Sequence, residues 1–294
     1  MLAVHPRSHL DKIESACVGL GPGETSYSLN EDNFECAETL AAAKLSSQAC
    51  LTAVRKVIAG EYDRGYCIVR PPGHHAHSEL IQGFCFLNNV AIAAKYAADR
   101  GQRVLIFDWD IHHGDGTQEV FYASNQVLFV SLHRFDRQTF YPRRADSAAS
   151  FVGEGVGAGF NVNVAWETGK TANEADRSAN EATDLGPNEY RLACDDLLFP
   201  IAADFQPDLI LVSCGFDGAI HDKLGWSRLC PVAFYYMTRE LVKICPKVVV
   251  IQEGGYNTDF LGQHASGVVK ALLGLDSYGL ATQADEDAGF VSVD

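Results

Sequence analysis

The chain has 294 residues, of which 47% are hydrophobic and 21% charged, and its formal net charge is −15. This length and apolar content predict one globular domain with a sizeable core. The acidic balance argues against nucleic acid as a partner but is compatible with a basic protein, because opposite potentials steer encounter. No apolar run reaches the roughly 20 residues of a membrane-spanning helix, so we expect no membrane partner.

The nine cysteines are scattered along the chain, and no C-x-x-C pair occurs among them. The first residues, Met1 to His9, lack the apolar stretch that is typical of a signal peptide. An odd number of cysteines without such a signal favours free thiols in a reducing compartment. We therefore expect the protein in the nucleus, the cytoplasm or both.

Short apolar runs predict buried strands, and each is followed by a turn or a group of polar residues. The runs are Tyr66–Arg70, Val104–Asp108, Val127–Ser131, Asp208–Ser213 and Val248–Glu253. They are continuous in apolar character and do not alternate with polar residues. This is typical of parallel strands that are covered on both faces.

Segments with helical spacing lie between the predicted strands: Ala37–Ala59, Asn88–Asp99, Tyr190–Ala203 and Pro231–Cys245. Alternation of strands and helices predicts an α/β fold with a single, mostly parallel sheet. The polar segment Glu167–Asn188 is interpreted as a surface loop. We predict one catalytic domain over residues 1–275 and an acidic, mobile tail over residues 276–294.

Unusual polar residues follow four of the predicted strands. They form the groups Pro71-Pro72-Gly73-His74-His75, Asp108-Trp109-Asp110-Ile111-His112-His113, Gly215-Phe216-Asp217 and Glu253-Gly254-Gly255-Tyr256. In open α/β sheets, ligands bind at the carboxyl ends of the strands. The sequence therefore predicts a single cleft that these four groups line.

A metal site is the first chemical expectation for this cleft. Asp110 and His112 alternate on an extended segment and so face the same way. A catalytic zinc ion takes about three protein ligands and keeps one open position, and Asp217 is the best third ligand. Zinc suits this set of two carboxylates and one imidazole, although iron(II) or cobalt(II) would also fit.

Acid–base chemistry is the second expectation. A catalytic histidine needs a carboxylate on its second ring nitrogen, and Asp108 and Asp115 are available to His74 and His75. Two such dyads would provide one general base and one electrostatic helper. Tyr256 follows two glycines, and its hydroxyl could donate to a developing oxyanion.

Several motifs together resemble the zinc-dependent histone deacetylase family. They are RPPGHHA at Arg70–Ala76, GFCFLNN at Gly83–Asn89, DWDIHHGDGTQ at Asp108–Gln118, SLHRFD at Ser131–Asp136, GFD at Gly215–Asp217 and EGGYN at Glu253–Asn257. They span most of the chain in the order of the family. RPPGHHA, EGGY and NVNVAW at Asn161–Trp166 look most like the class II branch.

The resemblance implies a three-layer α/β/α fold of the arginase/deacetylase type and a zinc-dependent protein lysine deacetylase. It implies a role for each of the following residues: zinc ligation by Asp110, His112 and Asp217; general base and then acid catalysis by His75; electrostatic assistance by His74 with Asp108; orientation of His75 by Asp115; and a hydrogen bond to the substrate carbonyl from Tyr256.

The resemblance also implies residues that contact the substrate and a structural cation. Acyl-lysine would lie against Gly83, Phe84 and Tyr141, with Leu224 near the rim. A structural potassium ion would bind Asp108, Asp110 and His112, with backbone oxygens of Ser131 and Leu132. A second cation site would use Phe121, Ser124, Val127 and Phe160.

This sequence departs from the family pattern at several positions. Tyr141 stands where Phe is usual, Asp115 where class II often has Asn, and Lys223 where Pro is usual. The resemblance starts inside the domain, at Val4-His5-Pro6, so the family's opening strand and its His-Pro-Glu pocket loop have no counterpart here. A lost edge strand would expose core and one wall of the pocket.

The expected partner is an acetylated protein, such as a histone tail or tubulin, and a corepressor complex is a further possibility. Three alternatives share the fold. An acetylpolyamine amidohydrolase would carry an acidic gatekeeper in place of Leu224. An arginase-like hydrolase would need further Asp ligands for a second metal. A weakly active acetyl-lysine-binding scaffold would replace the tyrosine at position 256, as one branch of the family does with histidine.

Overall fold

A six-stranded parallel sheet forms the centre of the computed structural model, which describes residues 1–169 and 183–275. Its strands, in chain order, are β1 (Arg64–Cys67), β2 (Val104–Asp108), β3 (Val127–Arg134), β4 (Asn161–Trp166), β5 (Leu209–Cys214) and β6 (Val248–Gln252). The order across the sheet is β1-β6-β5-β2-β3-β4, and every neighbouring pair is parallel. The predicted fold class is therefore confirmed.

The helices lie on both faces of this sheet. Along the chain they are α1 (Arg7–Cys17), α2 (Thr39–Ile58), α3 (Asn89–Ala98), α4 (Asp115–Phe121), α5 (Pro187–Ala193), α6 (Phe199–Phe205), α7 (Pro231–Ile244) and α8 (Thr258–Leu272), with a π-helical segment, Cys194–Leu198, between α5 and α6. Among the described residues, no helix combines the length and the apolar character needed to cross a membrane.

Strand β2 shows why the apolar runs are continuous. Leu105 and Phe107 belong to a core shared with α5 to α8, whereas Val104 and Ile106 belong to a core shared with α1 to α3. Successive side chains of a strand point to opposite faces, so both sets must be apolar when helices cover both faces. The result is the three-layer arrangement that the resemblance implied.

The predicted strand Tyr66–Arg70 is displaced in the structure. Arg64 pairs with Val248 and Cys67 with Ile251, so β1 begins earlier and ends at Cys67. Beyond it Ile68 is 73% exposed. The next residues, Pro71 and Pro72, have no backbone N–H to donate to a neighbouring strand. The last part of the predicted strand therefore leaves the sheet and leads to the cleft.

The predicted helix Tyr190–Ala203 is helical throughout but has a π-helical turn in its middle. Pro200 lies just after this π-helical turn, where the regular hydrogen-bond pattern of the α-helix is already interrupted. Three helices, α1, α4 and α8, were absent from the sequence-based prediction. Helix α4 has only seven residues and begins inside the motif at Asp115, so its periodicity is too short to detect.

Two predictions fall partly or wholly outside the described residues. Residues 170–182 of the predicted loop Glu167–Asn188 are not described, and at its end the prediction was wrong, because α5 begins at Pro187. The predicted tail, residues 276–294, lies outside the described residues as well, and its mobility stays a prediction.

Two glycines of α8 give a matched test of how closely it packs on α7. A Cβ atom on Gly267 would collide with the carbonyl oxygen of Pro231, whereas one on Gly262 would meet no atom within 4 Å. We expect Gly267→Ala to lower the free energy of unfolding by about 1–3 kcal/mol, the usual cost of overpacking. Gly262→Ala should raise it by up to about 1 kcal/mol through helix propensity.

Urea unfolding of the two variants measures this difference directly. Equal effects of the two substitutions would contradict the close approach of α8 to the start of α7.

Candidate active site

The four polar groups predicted to share a cleft follow four strands that are neighbours in the sheet, β1, β6, β5 and β2. His74 and His75 lie in the loop after β1, and Asp108 ends β2. Asp217 follows β5 and Tyr256 follows β6. Because the strands are parallel, all of these residues meet at one edge of the sheet, as predicted.

Asp110, His112 and Asp217 form a cluster suited to a metal ion. One donor atom from each lies within 4.8 Å of the others. Nδ1 of His112 is 3.1 Å from Oδ1 of Asp110 and 3.0 Å from Oδ2 of Asp217. One ring nitrogen has a single donor or lone-pair direction, so its approach to two carboxylates fits three ligands that converge on a shared cation.

The electrostatics of this cluster also favours a bound cation. Burial and the neighbouring Asp110 raise the pKa of Asp217 to about 7. Burial would also raise the pKa of Asp110, but His74 and His112 hold it well below its usual range. Two fully buried carboxylates at this separation repel each other, and a divalent cation between them would remove that cost. The residues therefore fit the metal that the sequence predicts.

His74 and His75 form separate dyads with carboxylates. Nδ1 of His74 is 3.0 Å from Oδ2 of Asp108, and Nδ1 of His75 is 2.8 Å from Oδ1 of Asp115. With Nδ1–H donated to Asp115, the second nitrogen of His75, Nε2, carries the lone pair. Both predicted pairs are therefore present.

The two rings differ in charge although they are adjacent. Burial alone would lower the pKa of His74, but Asp110 and Asp108 raise it well above its ordinary value. Burial and the charge of His74 lower the pKa of His75 to about 4. At neutral pH His74 is thus a fixed cation, and His75 is a neutral base that can accept a proton.

Tyr256 is oriented by its backbone. Gly255 has a φ of +129°, which only glycine adopts readily, and the Tyr256 N–H donates to Oδ2 of Asp222 at 2.6 Å. Burial, followed by the charge of Asp217, raises the pKa of the Tyr256 hydroxyl well above its usual value. The hydroxyl therefore stays protonated and can donate a hydrogen bond.

Aromatic side chains lie beside His75 and Tyr256. The Tyr141 ring lies edge-on to His75, with centroids 5.1 Å apart, and its hydroxyl donates to Oδ2 of Asp32 at 3.1 Å. The Phe84 ring lies 5.9 Å from that of Tyr256 and is 43% exposed. A Cβ atom on Gly83 would collide with the His75 ring, so this position requires glycine.

Leu224 lies at the surface near Tyr256 and is 38% exposed. Its N–H donates to Oδ1 of Asp222 at 2.8 Å. Asp222 is the carboxylate whose other oxygen accepts from the backbone N–H of Tyr256, and no motif in the sequence marked it. An Asp two residues before Leu224 carries no recognisable spacing, so only the folded chain shows its role.

Glu253 and His77 had no predicted role. Oε2 of the buried Glu253 accepts from the N–H groups of Gly73 at 2.6 Å and His74 at 3.2 Å, and so fixes the loop that carries His74 and His75. Nε2 of His77 is 2.9 Å from Oδ2 of Asp115. Glu253 belongs to the group Glu253-Gly254-Gly255-Tyr256 that was predicted to line the cleft, but no role of its own was predicted for it.

The residues predicted for structural cations are distributed as follows. Asp108 is paired with Ser131 across β2 and β3, which brings Ser131 and Leu132 beside the Asp110 segment. The second set surrounds the end of α4, where Ser124 N–H donates to the Phe121 carbonyl at 2.9 Å. Val127 begins β3, and the Phe160 carbonyl accepts from the backbone of Phe129. Potassium binding at either place stays a prediction.

Comparison with known proteins identifies the class. The histone deacetylase domain family matches residues 1–272. Histone deacetylase 18 of Arabidopsis thaliana is 41% identical over 238 residues, which cover 79% of this chain and 33% of that protein. Polyamine deacetylase HDAC10 of Danio rerio is 40% identical over 235 residues, which cover 79% of this chain and 33% of that protein.

The crystal structure of the HDA15 HD domain superposes with a TM-score of 0.83 at 36% identity, covering 97% of this chain and 74% of that one. This chain belongs to the histone deacetylase family and has its arginase/deacetylase fold. The matches agree with the class II branch that the motifs indicated. The chain spans about one third of the length of the two curated relatives.

Removal of one carboxylate tests the metal cluster. We expect Asp217→Ala to lower zinc affinity by more than about 100-fold, because loss of a direct ligand should exceed the roughly 10–100-fold effect of an outer partner. Metal analysis after dialysis, with circular dichroism to verify folding, measures this. The exposed Asp196→Asn and the non-ligand His75→Ala should both retain zinc, and equal retention by Asp217→Ala would refute the assignment.

Proposed function

We propose that this chain is a zinc-dependent protein lysine deacetylase, which hydrolyses the amide of Nε-acetyl-lysine and releases acetate. The observation that carries the proposal is the convergence of the Asp110, His112 and Asp217 donors with His75 and Tyr256 at one edge of the sheet. Family membership supports the same reaction.

Zinc held by the three donors would supply Lewis-acid polarisation of the amide carbonyl and of the attacking water. His75 accepts the proton of that water at Nε2, while Asp115 keeps the ring in the required tautomer. The Tyr256 hydroxyl donates to the carbonyl oxygen as negative charge develops on it. His75 then returns the proton to the leaving nitrogen, which gives free lysine and acetate.

His74 has a different task in this proposal. Its ring is 4.0 Å from that of His75, measured between centroids, and it is held as a cation by Asp108 and Asp110. It contributes a fixed positive charge near the reacting carbonyl and lowers the pKa of His75. His75 therefore remains neutral, and able to act as a base, over the physiological pH range.

The substrate class follows from the walls and the net charge. Phe84 and Tyr141 offer apolar surface for the methylene groups of a lysine side chain. Gly83, which has no side chain, packs directly against the His75 ring. A net charge of −15 favours encounter with basic proteins such as histone tails. Tubulin and a corepressor complex fit the same proposal, as does residence in the nucleus or the cytoplasm.

Substitution of the oxyanion donor tests the reaction. With an acetyl-lysine peptide and the zinc-loaded chain, we expect acetate release, and Tyr256→Phe should lower kcat by about 100-fold, as loss of one oxyanion-hole donor does. The exposed Tyr62→Phe serves as the matched control and should leave kcat unchanged. A folded, zinc-loaded wild-type chain that releases no acetate would instead favour a binding-only scaffold.

A polyamine substrate is the second candidate, because one relative of equal coverage is named a polyamine deacetylase. Leu224, at the rim, provides no charge for the cationic amine of such a substrate. We expect the wild-type chain to prefer acetyl-lysine peptide over acetylated polyamine in kcat/KM.

Leu224→Glu should shift that preference towards the polyamine by about 10-fold, a magnitude typical of one charge pair at a partly exposed site. The neutral Leu224→Gln controls for the change of shape. A wild-type chain with higher kcat/KM for the acetylated polyamine would refute the preference for protein substrates.

A further inference from the structure

Arg134, the last residue of β3, is a buried cation to which the proposed mechanism gives no role. It is only 2% exposed, and its backbone N–H donates to the Ile111 carbonyl at 2.9 Å. Its Nε and Nη2 both donate to Oδ2 of the buried Asp136, Nε at 2.9 Å. A buried ion pair is tolerated only when further hydrogen bonds offset the loss of solvation. The guanidinium therefore needs partners besides Asp136.

These further contacts of the Arg134 guanidinium join two segments of the cleft. Its Nη1 donates to the Gly225 carbonyl at 3.1 Å, and Gly225 directly follows Leu224. Its Cζ lies 4.2 Å from the centroid of the Phe140 ring, and Phe140 directly precedes Tyr141. A cation over an aromatic face is attracted by the ring. One side chain thus contacts the chain neighbours of both Tyr141 and Leu224.

The segment between Arg134 and Tyr141 has an unusual backbone. Asp136, Arg137 and Gln138 have φ values of 45°, 54° and 67°. Residues other than glycine keep such a conformation only where their surroundings fix it. Oδ1 of Asp136 accepts from the Thr168 N–H at 2.7 Å and hydroxyl at 2.8 Å, and Nη2 of Arg134 donates to that hydroxyl at 3.3 Å. The buried pair is therefore part of what holds this segment.

We infer that Arg134 is a positioning residue that determines which acyl groups the cleft admits, an inference that rests on the proposed function. Its guanidinium fixes the spacing between residues 136–141, the Tyr141 segment, and residues 222–226, the Leu224 segment. Tyr141 lines the cleft and Leu224 lies at its rim, so an acyl group passes both on its way to the metal cluster. A close spacing excludes bulky acyl groups, and a looser spacing admits them.

Arg134→Lys separates this role from the charge. Lysine keeps a positive charge beside Asp136, but its single nitrogen lacks the planar fork of donors that reaches Asp136 and Gly225 together. The spacing should therefore loosen while the buried carboxylate stays paired. A hydrophobic pocket discriminates a single methylene by about 10-fold or more, and a butyryl group has two methylenes more than an acetyl group.

The kinetic test uses acetyl-lysine and butyryl-lysine peptides of one sequence with the zinc-loaded chain. We expect Arg134→Lys to shift the ratio of their kcat/KM values towards the butyryl peptide by about 10-fold. Thr168→Val, which removes the hydroxyl that bridges the pair, should shift it the same way by about 5-fold, as loss of one hydrogen bond does. The control is Arg7→Lys, because Arg7 pairs with Asp11 at 2.8 Å on the surface, and it should leave the ratio unchanged.

An equal fall in kcat/KM for both peptides would overturn the inference and leave Arg134 a structural residue. An unchanged ratio in either folded variant would overturn it as well. A second measurement applies even if Arg134→Lys does not fold. In the wild-type chain, nuclear magnetic resonance of isotopically labelled arginine must show the Arg134 guanidinium protons protected from solvent exchange, and rapid exchange overturns the inference.

Hydrogen exchange followed by mass spectrometry tests the positioning without turnover. Amides of the Tyr141 and Leu224 segments should exchange faster in Arg134→Lys than in the wild type, whereas those of α2 should not change. Unchanged exchange in both segments overturns the inference. Faster exchange there, with no release of acetate or butyrate by the wild-type chain, would refute only the proposed deacetylation.

Discussion

Mutual repulsion of buried carboxylates at the ends of β2 and β5 is the constraint on which the site depends. Asp108, Asp110 and Asp217 are all fully buried. Asp108 and Asp110 lie at the end of β2, and Asp217 lies just after β5, the strand that pairs with β2. Such charges are tolerated only when they are paired and hydrogen-bonded. Backbone N–H groups supply part of this compensation, as that of Gly254 does for Asp110 at 3.0 Å. Imidazoles supply a further part, and a metal ion held by the cluster would supply the rest.

The same constraint explains how two adjacent histidines acquire opposite properties. His74 is close to two of the crowded carboxylates and becomes a cation. His75 faces Asp115 alone, is fully buried, and lies beside the positive His74 ring. Sequence adjacency gives no hint of this difference, because it depends on how many carboxylates each ring meets. Assignment of acid and base roles thus follows from environment and not from residue type.

Much of this arrangement was accessible from the sequence, because it is encoded locally. Continuous apolar runs predicted five of the six strands, and the residues after four of them predicted the cleft. Asp110 and His112 could be paired from the alternation of an extended segment. Parallel strands then bring Asp217 to the same edge without further information. The two His–Asp dyads were predictable because each pairs a motif histidine with a motif carboxylate, and the family resemblance implied which histidine meets which carboxylate.

The parts that could not be predicted depend on distant contacts or on weak local signals. Glu253 reaches back to the backbone of Gly73 across 180 residues of sequence, and no periodicity records such a contact. Helix α4 is too short to show a helical pattern. His77 contacts Asp115 only because the loop after β1 and the start of α4 fold against each other. In the sequence, His77 follows His75 by two positions, and no pattern there marks it as buried.

Under the proposed function, Asp222 would link substrate selection to the rate of reaction, and this would restrict how the chain can diverge. Its Oδ1 accepts from the backbone N–H of Leu224, and its Oδ2 accepts from that of Tyr256, the proposed oxyanion donor. A change of the rim that moves this loop also moves the anchor of the oxyanion donor. New substrate preferences should therefore arise through side chains that project from the existing backbone, since insertions or deletions between Asp222 and Leu224 would forfeit turnover together with the old specificity.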